Sequence, residues 1–275
     1  MMCKSGSGHL FYEVSGPKDS PAVVFTHGVA MDHRTFATQA AAFSDRYRVV
    51  VWDLPGHGRS ALDDAEFGYP LAAACLIDLL DEIGLDAALL VGLSLGGHID
   101  QYAAYYYPER VTAVAEIGST PLHRGLGAFT KMYYTAFLGI SRLIPEKTIA
   151  MLFAQSRAVK PATREYLREV AIKTGKNRIL QFTHSMLRDA SKGIPSPFRQ
   201  PLLITHGEKD LGLVITQARH WHEDIPGSIY AAIPDAGHIA HQDNPEGFNR
   251  VLRGFLEGQL GERGECRGRS LRFSW

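Results

Sequence analysis

The chain has 275 residues, 45% hydrophobic and 21% charged, so it can bury about three quarters of its unfolded surface, which excludes disorder as its main state. Twenty-seven Gly and fourteen Pro make it turn-rich without low complexity, a poor fit to fibres and solenoids. Lys plus Arg equals Asp plus Glu at 29 each, so no global field holds nucleic acid or an anionic membrane by charge alone.

Cys3, Cys75 and Cys266 are too few and too scattered for a disulfide framework or a zinc site, and they point to a reducing compartment. The opening MMCKSGSGHL has no apolar segment after Lys4, and only two Met precede Cys3 where a lipoprotein signal needs an apolar stretch. No run approaches the roughly 18 apolar residues of a membrane span. These features lead to the expectation of a cytoplasmic protein with no membrane partner, no metal and no cofactor, acting as a monomer or homodimer.

Along the chain, short Val- and Ile-rich runs at 10–14, 22–26, 48–53, 87–92, 111–117, 201–206 and 228–233 read as strands. Helical patterns at 33–43, 69–83, 95–107, 211–223 and 245–258 lie between them. This alternation is the signature of an α/β fold, a mostly parallel doubly wound sheet flanked by helices. It breaks after Thr120, where helical pattern punctuated by Pro145, Pro161, Pro195 and Pro197 intervenes. The expected organisation is a core domain at 1–120 and 201–258, an inserted helical cap at 121–200, and a flexible tail at 259–275.

Residues 121–200 contain fourteen Lys and Arg against four Asp and Glu, so the neutral total hides a basic insertion and an acidic remainder. Solvated outer helical faces account for such a surplus; the sharper reading is a basic lid that steers an anionic substrate. The insertion also carries Phe129, Met132, Tyr133, Tyr134, Phe137, Met151, Phe153, Phe182 and Met186. At their spacing they either line an apolar acyl or alcohol pocket or form the interior of the cap.

The most informative segment is LLVGLSLGG at 89–97, where an apolar strand enters Gly92-Leu93-Ser94-Leu95-Gly96 and then a helical stretch. This G-x-S-x-G pattern is a nucleophile elbow. A serine in a sharp strand-to-helix turn needs neighbours without Cβ atoms, and the helix N-terminus offers unpaired N–H groups to a developing oxyanion. The plainer alternative, a serine that only caps a helix, lacks any need for the strand before it and the partners downstream.

Four motifs extend the pattern: HGVAMDHRTF at 27–36, WDLPGHGRS at 52–60, GLSLGGH at 92–98, and HGEKD at 206–210 with PDAGH at 234–238. With them the chain resembles the α/β-hydrolase-fold superfamily over roughly 10–258, most weakly in the insertion. The resemblance implies a triad in the chain order Ser94, Asp210, His238. His238 would accept and return the serine proton, and Asp210 would hold the imidazole. His241, Glu208 and Asp235 are the competing residues nearby. The resemblance further implies an oxyanion hole from the backbone N–H groups of Val29 and Leu95, and structural roles for Asp53, His57 and Arg59. His98 and Asp100 read as residues that orient the helix after Ser94.

Serine at the elbow, where dehalogenases and epoxide hydrolases of this fold use Asp, implies acyl transfer. The preferred expectation is hydrolysis of a small-molecule carboxylic ester or lactone through an acyl-enzyme. C–C bond hydrolases, cofactor-free perhydrolases and acyltransferases use the same triad. Ile239 after the histidine lowers the C–C hydrolases, which often carry Trp there, and Leu95 in the elbow lowers proline iminopeptidases. From another class, a slow-turnover signal receptor or regulatory binding protein on this fold is the runner-up.

Overall fold

Every apolar run expected as a strand forms one in the computed structural model, which describes residues 1–6, 8–63 and 65–261, with only the backbone of Phe129, Tyr133, Leu260 and Gly261. The strands are β1 (Met2–Ser5), β2 (Gly8–Ser15), β3 (Ala22–Thr26), β4 (Arg48–Trp52), β5 (Ala88–Leu93), β6 (Val111–Ile117), β7 (Leu202–Gly207) and β8 (Ile229–Ile233). They form one sheet in the order β1-β2-β4-β3-β5-β6-β7-β8. From β4 to β8 the pairs are parallel. Burial on both faces explains why β3 (AVVFT) and β5 (ALLVGL) read as continuous apolar runs. The first two strands add an antiparallel edge. The short β1, with exposed Met2 and Lys4 alternating with buried Cys3, was not among the expected strands.

The helices are α1 (Ala37–Phe43), α2 (Tyr69–Glu82), α3 (Leu95–Tyr106), α4 (Ala128–Ser141), α5 (Glu146–Arg157), α6 (Pro161–Thr174), α7 (Lys176–Lys192), α8 (Gly212–Asp224), α9 (Ala240–Asp243) and α10 (Pro245–Gly261). Contacts pair α1 with α10 and α2 with α3. The final helix passes the expected end at 258 and runs to Gly261; the rest of the expected tail, with Cys266, lies outside the described residues. No helix among the described residues is long and apolar enough to cross a membrane.

The sheet order places β4 on one side of β3 and β5 on the other, so the connections after β3 and β5 leave the sheet side by side at its carboxyl edge. This is a topological switch point, where open α/β sheets form a crevice. Four helices, α4 to α7, fill the connection from β6 to β7, at the place of the expected insertion. They are seated on the core through aromatic contacts: Phe182 of α7 is 1% exposed and stacks on His57 with ring centroids 3.9 Å apart. It also meets Phe67 edge-on at 5.0 Å. Asp189 of the same helix accepts the Tyr69 N–H at the start of α2 (2.9 Å).

Because Phe182 is buried on all sides, Phe182→Ala is expected to lower unfolding stability by about 3–5 kcal/mol. Denaturant unfolding checks this, and a change within experimental scatter would mean that the stack does not seat these helices.

Candidate active site

Ser94 lies between β5 and α3 with φ 53° and ψ −110°. The turn is possible because the residues two positions to either side of it, Gly92 and Gly96, lack side chains. A Cβ on Gly92 would strike the Gly97 backbone, and one on Gly96 would strike Thr26 O and lie 2.7 Å from His27 O. The helix therefore crosses the ends of β3 and β5 at backbone contact distance. Leu95 is the first residue of α3, so its N–H has no carbonyl a turn earlier to receive it.

Val29 sits on the turn after β3. A Cβ on Gly28 would lie 3.4 Å from Leu93 O, so this turn packs against the strand end that carries Ser94. Among the described residues, the non-glycine positions at positive φ are Ala30, Ser94 and Asp235. Each stands on one of the three loops holding Val29, Ser94 and His238, so the backbone strain collects around a single site.

His238 and Asp210 come together from the loops after β8 and β7. His238 Nδ1 lies 2.9 and 3.1 Å from the two carboxylate oxygens of Asp210, and both residues are buried. With Asp210 accepting, the Nδ1 proton is fixed and Nε2 is left as the basic nitrogen. That Nε2 is buried and without a hydrogen-bond partner; Ser94 Oγ does not close a hydrogen bond on it. What joins the two groups is the strand end at 117–119. Ile117 O accepts the Ser94 N–H (2.9 Å), Ser119 Oγ donates to Ser94 O (3.2 Å), and a Cβ on Gly118 would lie 2.9 Å from the His238 ring and 3.1 Å from Asp210 Oδ2. Gly118 and Ser119 were not singled out in the sequence, although a Gly-Ser step at a strand end was the available signal.

The competing residues are engaged elsewhere. Glu208 is exposed and accepts the Asp235 N–H (3.3 Å), and Asp235 pairs with Lys209 at 2.8 Å on the surface. His241 is fully buried, bonded to Thr35 Oγ1 (3.0 Å) and stacked on Phe36; burial pushes its pKa down to about 3. Asp53 accepts the N–H groups of His33 (2.6 Å) and Arg59 (2.8 Å) and lies 2.8 Å from His33 Nδ1, a buried tie between turns. Burial likewise pushes His57 down to about 3, and its partners are Phe182 and the Pro55 carbonyl.

His98, on the first turns of α3, is held by Tyr69 Oη at Nδ1 (2.9 Å) and Thr120 Oγ1 at Nε2 (3.0 Å). Burial lowers its pKa to about 4, so it stays neutral near pH 7. Of the apolar residues in the four inserted helices, Phe153 and Phe182 are buried, whereas Met132, Phe137 and Met151 are exposed. The last three thus belong neither to a closed pocket nor to the cap interior. Among the described residues no group of three or more His, Cys, Asp or Glu side chains could hold a metal.

A residue with a Cβ at φ 53° stores conformational strain of about 1–3 kcal/mol, which glycine relieves. Ser94→Gly is accordingly expected to unfold at higher denaturant than Ser94→Ala, by about 1 kcal/mol of stability. Equal midpoints would mean that the turn is unstrained.

The model of the alpha/beta hydrolase fold family matches residues 21–245. Among curated proteins, the chain is 23% identical to 3-oxoadipate enol-lactonase 2 of Acinetobacter baylyi, over 90% of this chain and 93% of that protein. Among solved structures, it is similar to the enol-lactonase from Burkholderia xenovorans LB400, with TM-score 0.81 and 21% identity, over 94% of this chain and 100% of that one. A thermophilic esterase from Thermogutta terrifontis gives TM-score 0.81 and 22% identity, over 94% and 98%. With the family model spanning most of its length and the sheet order and strand-to-helix serine turn described above, the chain belongs to the α/β-hydrolase fold family.

Proposed function

We propose that this protein is a serine hydrolase of carboxylic esters or lactones that works through an acyl-enzyme on Ser94, Asp210 and His238. One observation carries the reading. A buried imidazole has its Nδ1 fixed by a carboxylate at 2.9 Å and its Nε2 unpartnered, against the 117–119 strand end that also bonds a serine held at φ 53°. Serine is a weak nucleophile at neutral pH and needs such a base.

In this mechanism His238 Nε2 takes the Ser94 hydroxyl proton as Oγ attacks the carbonyl carbon. The tetrahedral oxyanion is received by the N–H groups of Val29 and Leu95, the second at the positive end of α3. The imidazolium, stabilised by Asp210, returns the proton to the leaving alkoxide as the C–O bond breaks. A water deprotonated by the same imidazole then attacks the acyl-enzyme, and the proton passes back to Ser94 Oγ as the acid leaves.

The enol-lactonase and esterase names of the relatives support an ester or lactone as substrate. In this reading α4 to α7 form a cap over the site, and the basic surplus of residues 121–200 favours a substrate carrying negative charge. Cytoplasmic location and a monomeric or homodimeric state complete the proposal.

Turnover of short-chain nitrophenyl esters and of an enol-lactone tests it. Ser94→Ala, His238→Ala and Asp210→Asn are each expected to lower kcat by about a thousandfold or more, with the effects far from additive when combined. Near-full activity of Asp210→Asn would remove Asp210 from its role, and turnover retained by Ser94→Ala would reject the nucleophile.

A further inference from the structure

Two acids are buried immediately behind the elbow, where the mechanism uses neither. Asp100 on α3 and Glu116 on β6 are both fully buried. A Cβ on Gly92 would lie 2.6 Å from Asp100 Oδ2, and one on Gly97 would strike Glu116 Oε2 and Ser119 Oγ. Their carboxyl groups thus fill the space under the two glycine faces that make the Ser94 turn.

The groups around the pair do little to hold charge. From β3, Thr26 donates to Asp100 Oδ1 (2.8 Å) and itself receives the Trp52 indole N–H from β4 (3.3 Å). From α3 and the strand end after β6, Gln101 and Ser119 lie beside Glu116 and favour its charge, but less than burial opposes it; one Gln101 N–H goes to Thr120 O (3.1 Å) and the Ser119 hydroxyl to Ser94 O (3.2 Å). Asp100 Oδ2 and both oxygens of Glu116 remain without a partner. Neither carboxyl has a cation among its ion pairs or electrostatic neighbours in the described residues. Two ionised carboxylates cannot share such a place, because each like charge and each lost hydration shell raises the cost of the other.

We propose that Asp100 and Glu116 form a carboxyl pair sharing at least one proton that positions the nucleophile elbow, and that loss of this proton sets the alkaline limit of activity. The positioning is through the backbone. Thr26, bonded to Asp100, stands three residues before Val29, and Asp100 stands on the helix that begins with Leu95, so the pair ties together the elements carrying both oxyanion donors. Glu116 adds β6, whose end carries Gly118 against His238. Ionisation of both acids would push these elements apart without touching a reacting atom.

Burial pushes Glu116 up to about 8, and burial with the neighbouring Glu116 holds Asp100 well above the usual carboxylate range. The sign follows by linkage. The folded chain keeps a proton that the unfolded chain releases at the ordinary Glu value of 4.5, so stability declines as pH rises from there toward 8 and the charged pair forms above it.

The activity readout rests on the hydrolase reading, whereas the proton itself does not. Wild-type kcat on a neutral ester is expected to fall reversibly, about tenfold per pH unit once the proton leaves. Glu116→Gln and Asp100→Asn should each move that limb to higher pH or abolish it, while leaving KM unchanged. Infrared spectroscopy at neutral pH should show protonated-carboxyl absorption that shifts or loses intensity in either variant, because one buried acid of the two remains. Should ester turnover be absent, thermal unfolding carries the test: the advantage of Glu116→Gln over wild type must grow between about pH 5 and pH 8. An alkaline limb unmoved in both variants, no protonated-carboxyl band in wild type, or a variant advantage that is constant with pH would each overturn the pair.

Discussion

The contact on which the rest depends is backbone against backbone, where α3 crosses the ends of β3 and β5 with only glycine at Gly92, Gly96 and Gly97 between them. That crossing forces Ser94 into a positive φ and sets the N-terminus of a helix beneath it. It also draws the turn carrying Val29 against Leu93 at the end of β5. A single Cβ at Gly96 would have to displace a sheet carbonyl, and the serine, the helix end and the neighbouring turn would move with it. Close packing there brings the Ser94 turn, the start of α3 and the turn carrying Val29 together at the carboxyl edge of the sheet.

Burial then sorts the histidines. His57 and His241 are enclosed by aromatic rings and have no carboxylate bonded to the imidazole, so burial drives them far down and they remain neutral packing groups. His98 is closed by a tyrosine and a threonine, one on each nitrogen. His33 does meet a carboxylate, but Asp53 is already occupied by two backbone N–H groups and the pair braces neighbouring turns. At His238 alone among these five does a carboxylate on Nδ1 coincide with an open Nε2. The neighbours of each ring, not the number of rings, decide which can work as a base.

The parallel strands were legible because strands buried on both faces must be apolar throughout, and the elbow was legible because its glycines answer a steric demand confined to five residues. Asp210 and His238 were singled out through the family resemblance of HGEKD and PDAGH, each motif following a strand. The edge strand β1 was not, since four residues pairing through their backbone leave almost no side-chain pattern. The exposed Met132, Phe137 and Met151 were misplaced because apolar spacing on a helix says which residues share a face and not what covers it. Glu116 escaped for the opposite reason, since an acid reads as surface in a sequence, and Asp100, expected only to orient its helix, is revealed as its buried neighbour beneath glycine by the folded sheet alone. His98, expected to orient its helix, is bonded to Tyr69 and Thr120, two residues far from it in the chain.

The central claim is that the Ser94 hydroxyl is made nucleophilic by His238. Mass spectrometry after treatment with a fluorophosphonate measures this most directly, because the reagent phosphonylates only an activated serine. The account predicts one adduct per folded chain, located at Ser94, formed rapidly in wild type and greatly slowed in His238→Ala. Folded wild-type protein left unmodified at Ser94, or labelled there equally fast without the imidazole, would contradict it.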